Sequence, residues 1–257
     1  MKRLAVWLFV MFFPLPLAAG GAWFAAQGWP SSWRSADWSS AGIAPDPARD
    51  REAIVQIYAA RAGNWRGIFA VHSWILVKAE NANAFSRYEV TAWGPPVHRN
   101  RHVPDGRWYG NAPRVIYDLR GPAAARLIPG IEAAVGGYRY GERGSYRIWP
   151  GPNSNSFTAA IARAVPGFDP LLPPNALGKD YVGNGVYLVP APSGTGWQLS
   201  LYGVVGLTLA REEGLEVNLF GIVGGVNPLA ATVSLPSLGR VDLAGLASTA
   251  MAAIGGN

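Results

Sequence analysis

Cysteine is absent from the chain, which excludes disulfides, thiolate catalysis and Cys-ligated zinc. Charge is scarce as well. Asp, Glu, Lys and Arg make up 15% of the residues, where about 25% is usual for a soluble domain. Lysine is almost missing, with Lys2, Lys78 and Lys179 the only three, so the basic balance rests on arginine. The sequence contains no G-x-x-x-x-G-K phosphate cradle, no G-x-S-x-G elbow, no H-E-x-x-H pair and no basic-aromatic nucleic-acid motif. No cofactor, resident metal or nucleic-acid partner is therefore implied.

What is abundant points to the cell envelope. Hydrophobic residues reach 49%, with Gly 32, Pro 21 and Trp 11 in 257 residues. That length suits one large domain or two small ones. Net charge is +6, and residues 87–147 hold ten arginines against five acids. Such a face attracts anionic lipid headgroups, or is simply solvated.

The N-terminus reads as a membrane address. Met1-Lys2-Arg3 is basic, and no charge follows from Leu4 to Trp33. The dense apolar part approaches the ~20 residues that span a bilayer. Residues 1–28 are read as an uncleaved single-span anchor, with a cleaved signal segment as the alternative. Basic residues at the start keep that end cytoplasmic, so the body is expected in the periplasm on a bacterial inner membrane.

Residues 29–47 form a Ser/Pro/Trp linker, 48–240 a single α+β domain, and the Ala-rich 241–257 a tail compatible with a short helix. Asp46 or Asp50 is read as the cap of a helix with Ile54, Val55, Ile57 and Tyr58 on its apolar side. Strands are expected at 68–77, 86–93 and 115–119, and helices at 121–135 and 157–165. Leu199–Ala210 and Leu215–Val226 read as the two arms of a buried β-hairpin, or of one that touches membrane. The fold class is α+β, a mostly antiparallel sheet flanked by helices.

Three residues carry candidate chemistry. His72 lies mid-strand, where an imidazole serves as a base near neutral pH. Glu89 lies in the next strand, within reach of His72 if the two pair antiparallel. Ser154 follows Pro150-Gly151-Pro152-Asn153 at a helix start, where N–H groups converge. There it either acts as a nucleophile or, with Asn153, Asn155 and Ser156, caps the helix. His98 and His102 have the i, i+4 spacing of a metal-binding helix, but Pro95, Pro96 and Pro104 bracket them.

The segments Gly67-Ile68-Phe69-Ala70-Val71-His72-Ser73-Trp74-Ile75, Gly151-Pro152-Asn153-Ser154-Asn155-Ser156-Phe157, Gly178-Lys179-Asp180-Tyr181 and Ala191-Pro192-Ser193-Gly194-Thr195-Gly196 resemble an uncharacterised bacterial family, domain of unknown function number 3750. The likeness runs over roughly residues 50–240 and brings no established activity. The order strand-His, polar residue on the next strand, then a helix-start nucleophile position also looks like circularly permuted papain-like proteins of the NlpC and lecithin:retinol acyltransferase types. That likeness implies Ser154 at the cysteine position, His72 as base and Glu89 as third polar group, with ligand contacts from Asn153, Asn155, Lys179 and Asp180. Serine in place of the thiol leads to the expectation of a non-catalytic module binding an envelope ligand, a lipid or cell-wall fragment. The alternative is a hydrolase or acyltransferase acting on a lipid or peptidoglycan acyl or amide bond.

Overall fold

The computed structural model describes residues 2–27, 32–183, 185–246 and 248. The charge-free N-terminal run forms two consecutive helices, α1 (Lys2–Phe12) and α2 (Pro14–Ala26). Pro14 and Pro16 sit in the first turn of α2, where the backbone N–H has no intrahelical acceptor and a proline costs little. Together Lys2–Ala26 is long and apolar enough to cross a membrane.

The first sheet contains β1 (Ile54–Arg61), β2 (Val71–Lys78), β3 (Ser86–Val90), β4 (Val97–Arg99) and β5 (Arg114–Arg120), antiparallel throughout in the order β4-β3-β2-β1-β5. Two helices, α3 (Gly121–Gly136) and α4 (Ser154–Ala164), cover one face. Val55, Ile57, Ile75 and Val77 pack there against Ile128, Ile131, Phe157 and Ile161. The other face carries Tyr58, Trp74, Leu76, Phe85 and Trp108, with Trp38 laid against them.

The helix expected around Ile54–Tyr58 is instead β1, an interior strand. Both of its faces are buried, so its apolar residues run together rather than alternating, and the run imitates helical spacing. Asp46 caps only a single turn, its Oδ1 accepting from Ala48 N at 2.9 Å. The expected strand at 68–77 starts at Val71, because Asn64–Ile68 is a 3₁₀ turn. The expected strand at 86–93 stops at Val90. β5, α3 and α4 fall where the sequence placed a strand and two helices.

The second sheet is a seven-stranded antiparallel meander in sequence order: β6 (Leu188–Pro190), β7 (Gly196–Leu201), β8 (Val205–Ala210), β9 (Gly214–Leu219), β10 (Ile222–Asn227), β11 (Thr232–Leu235) and β12 (Gly239–Asp242). Each apolar run expected as one hairpin arm therefore folds back on itself. The reversals fall at Tyr202-Gly203 and Phe220-Gly221, all four residues at positive φ.

The expected burial of these runs is also inverted. Gln198, Ser200, Thr208, Glu216, Asn218 and Asn227 are buried, while Trp197, Leu199, Leu201, Val205, Leu207, Leu209 and Leu215 point outward. The sheet has a polar inner face and an apolar outer face.

Helix α2 docks on this body. A Cβ on Gly20 would come within 2.0 Å of Ser237 Oγ, so only glycine allows the approach. Trp23 lies against Gly67 and receives the Arg61 guanidinium 4.2 Å from its ring centre. Residues 243–246 form a helical turn. Residues 247 and 249–257 of the expected tail, and residues 29–31 of the linker, lie outside the described residues.

Candidate ligand site at the end of the first sheet

Strand alternation puts His72, Trp74 and Leu76 on the face away from α4, and Ser73 and Ile75 toward it. Ser73 Oγ accordingly donates to Asn155 Oδ1 of α4 at 2.8 Å. In β3 the same alternation sends Arg87 and Glu89 to the His72 side. The register sets Ile75 opposite Tyr88, so Glu89 stands diagonal to His72 and within side-chain reach.

Glu89 is the hub. Its Oε2 accepts from His72 Nε2 at 3.0 Å and Arg87 Nη2 at 2.9 Å. Its Oε1 accepts from His102 Nδ1 at 2.7 Å. Burial opposes its ionisation. The hydrogen bonds from His102 and His72 and the Arg87 charge outweigh that and hold the carboxyl far below its ordinary range. An ionised Glu89 only accepts, so both imidazoles present N–H to it. Burial pushes the His72 pKa down, against the pull of Glu89, so the ring is neutral and its Nδ1 is left as an acceptor. That nitrogen makes no hydrogen bond among the described residues. Stacking fixes the rings: His72 lies on Trp108 with centroids 3.6 Å apart, and His102 on Trp38 at 5.0 Å.

His102 is a member that sequence reasoning missed. It comes from an irregular loop, and no local pattern ties it to Glu89. His98, its i, i+4 neighbour, turns elsewhere and bonds Trp93 O at 2.9 Å. Among the described residues no cluster of three His, Asp or Glu is arranged to hold a metal ion.

Ser154 opens α4, and the cap beneath it is complete. Asn153 Oδ1 accepts from Asn155 N at 3.0 Å and Ser156 N at 3.1 Å, while Ser156 Oγ accepts from Asn153 N at 2.6 Å. The converging N–H groups at the helix mouth are thus largely engaged by Asn153 itself. Asn153 Nδ2 donates to Ile148 O and Leu177 O, and Asn155 Nδ2 to Val71 O and Leu177 O. These amides tie α4 to β2 and to the 177 loop. Ser154 Oγ has no hydrogen bond among the described residues, and none joins it to His72.

His72 and Ser154 both line a cavity of about 480 Å³. Eight aromatic residues line it, Trp65, Phe69, Trp93, Trp108, Tyr109, Tyr146, Trp149 and Phe220, together with aliphatic residues and the polar Thr91, Asn153 and Asn155. Arg66 is the one charged residue lining it among the described residues. The volume is that of an ordinary small-molecule site.

Lys179 and Asp180 do not line this cavity. They lie between α4 and the polar face of the second sheet. Lys179 Nζ contacts Glu216 Oε2 at 2.8 Å and Asp180 Oδ1 at 3.3 Å, and Arg240 Nη2 reaches Glu216 Oε1 at 2.7 Å. Asn218 donates to Asp180 Oδ2 at 2.8 Å, Gln198 donates to Asp180 Oδ1, and Arg163 of α4 donates to Gln198. This network joins α4 and the 179–180 segment to the second sheet.

These features define an α+β protein of two antiparallel sheets, with an aromatic-walled cavity at the end of one and an N-terminal apolar helix. Residues 52–181 match the family described as "Protein of unknown function (DUF3750)", and the chain belongs to that family. The matched span contains His72, Glu89, Ser154, Lys179 and Asp180 and ends before the second sheet. No curated protein and no solved structure matches the chain.

Proposed function

We propose that the protein is a membrane-tethered binding module that takes an apolar, membrane-derived ligand with one polar end into the cavity beside His72. The observation that carries this reading is the cavity lining: eight aromatic rings and several aliphatic residues beside a smaller set of polar groups that includes His72 and Ser154. A cell-wall fragment, polar along its length, would leave hydrogen-bonding groups unmatched against these rings. An amphiphile would not. Neutral His72 offers Nδ1 as an acceptor, so the polar end carries a donor such as a hydroxyl or an amide N–H. Ser154 lines the same cavity.

The site also adjoins the anchor. Trp65 and Arg66 of the cavity rim belong to the 3₁₀ turn whose Gly67 contacts Trp23 of α2. A ligand leaving the bilayer meets this rim first. In this reading Lys2 and Arg3 face the cytoplasm of a bacterium and the body stands in the periplasm, as the basic start favours. Asn153 and Asn155 build the wall, and Lys179 and Asp180 brace the second sheet behind it. The order β2-His72, β3-Glu89, then Ser154 at the start of a helix packed on β2 supports a permuted papain-like ancestry. The non-catalytic character rests on two observations. His72 faces away from α4, and Asn153 engages the helix-mouth donors.

The test is lipid extraction and native mass spectrometry of the detergent-purified full chain, compared with Ala70→Trp, which fills the cavity. A bound amphiphile in the wild type that is lost in the variant is expected. Equal retention by both, or no bound species in either, would sink the proposal.

A second reading has one specific observation in its favour: His72 and Ser154 both line the cavity, and among the described residues neither His72 Nδ1 nor Ser154 Oγ has a hydrogen-bond partner. In that reading Ser154 is a nucleophile, His72 its base and Glu89 the orienting group, acting on an acyl or amide bond. A serine-reactive phosphonate separates the two, since only the catalytic reading requires labelling that Ser154→Ala abolishes.

A further inference from the structure

The outer face of the second sheet is apolar with no charge to interrupt it. Trp197, Leu199, Leu207, Leu209, Leu215 and Val226 stand side by side on it across β7 to β10, Trp197 at 59% and Leu209 at 66% exposure. Registers such as Trp197 opposite Leu209, Leu199 opposite Leu207 and Leu215 opposite Val226 make them direct neighbours. The inner face takes the polar residues, including Glu216 with its two cations. This inverts the order of a water-soluble sheet, in which the apolar face is buried and the polar face is wet. An exposed apolar patch this extended marks an interaction surface.

The helix packed on this face indicates the occupant. Gly224 shares the outer face with Ile222 and Val226, and a Cβ built there would meet the Phe13 ring at 3.3 Å and Phe12 O at 3.5 Å. The α1–α2 junction therefore lies on the apolar face at β10. Helix α1 has no buried residue, so its all-round apolar surface needs hydrocarbon. Whatever lies beside it on the same face lies at the same depth.

We infer that the bare part of this face, from β7 to β9, sits in the hydrocarbon of the leaflet nearest the body. The sheet is a second membrane contact beside the helix. It does not span. Six-residue strands reach about 20 Å, short of the ~30 Å hydrocarbon core. An open sheet edge is also excluded from the bilayer centre by its unpaired backbone groups. The contact holds the cavity at the membrane surface, since Phe220 of the β9–β10 turn and Ile222 beside it line the cavity.

The inference rests on the reading of α1–α2 as a membrane helix, and the test separates the two. With no native cysteine, single-cysteine variants of the full chain label cleanly. Leu199→Cys, Leu207→Cys and Leu209→Cys report the sheet, Leu8→Cys the helix and exposed Glu80→Cys the water. Each variant carries an environment-sensitive fluorophore in phosphatidylcholine–phosphatidylglycerol vesicles with or without doxyl-labelled lipid. Unchanged circular dichroism and melting show that the labelled variants fold.

Quenching at Leu8 and at all three sheet positions, at least threefold above Glu80, is expected. Quenching at Leu8 with the sheet at the Glu80 level would overturn the inference and leave the anchor standing. Quenching at the sheet alone would remove the anchor reading and keep the sheet contact. Crosslinking between copies through Leu207→Cys, with no lipid quenching there, would assign the face to a second copy and overturn the inference.

Discussion

Glu89 Oε2 lies 3.0 Å from His72 Nε2, joining two strands through a carboxylate that also serves Arg87 and His102. Burial leaves this carboxylate no water to replace those donors, so it governs both the charge and the orientation of His72.

Removing it should therefore be costly. Glu89→Ala would leave the fully buried Arg87 guanidinium without its carboxylate, and a buried ion left unpaired costs about 3–5 kcal/mol. Urea unfolding of the detergent-solubilised chain should show a loss of that size, and a loss under about 1 kcal/mol would contradict the hub assigned to Glu89.

The pH dependence follows from the directions of the shifts. Burial holds the His72 pKa below its ordinary 6.5, so the unfolded chain takes up that proton first and stability begins to fall as pH drops below 6.5. Glu89 and Glu216 are held below their ordinary 4.5; their contribution is full above that value and is lost as pH falls through the folded pKa. Lys179 is raised above its ordinary 10.5 despite burial, by Asp180 and Glu216; its contribution is full below 10.5 and is lost as pH rises through the folded pKa. Thermal melting between pH 3 and 9 should show a plateau above about 7, a gentle decline from about 6.5 and a steep one below about 4.5. A midpoint that rises between pH 7 and 5 would contradict a neutral His72.

Neighbouring residues at the α4 start should behave oppositely. Asn153→Ala removes a cap worth about 1 kcal/mol and leaves Ile148 O without its donor, while Leu177 O keeps Asn155 Nδ2, for a total of about 2 kcal/mol. Ser154→Ala removes a hydroxyl with no partner among the described residues and should change stability by less than about 0.5 kcal/mol. Gly178→Ala should resemble Asn153→Ala, since its φ is +98° and its Cβ would fall 2.3 Å from Asn153 Nδ2. Chemical unfolding of the three variants checks the order.

Local signals accounted for much of the first sheet. Val71–Lys78 and Arg114–Arg120 are rich in β-branched and aromatic residues, and Asn153 beside an apolar helical pattern marks the start of α4. β1 was illegible because burial on both faces erases alternation. The turns of the second sheet were hidden because Tyr202 and Phe220 occupy positive-φ positions where Asn or Gly is the usual cue.

The sequence by itself determined that a charge-free N-terminal stretch forms a helix apolar enough for a membrane, that the body is α+β, and that His72 and Glu89 lie on successive strands. These follow from composition and short-range spacing, which act within a few residues. Only the tertiary structure decided that His102 joins Glu89. It also decided that Lys179 and Asp180 tie the second sheet to α4 and that the second sheet turns its leucines outward. Those outcomes depend on which face of a strand meets which neighbour. Alternation makes two faces but leaves open which one is buried; packing against α4, the 177–180 loop and the N-terminal helix makes that choice.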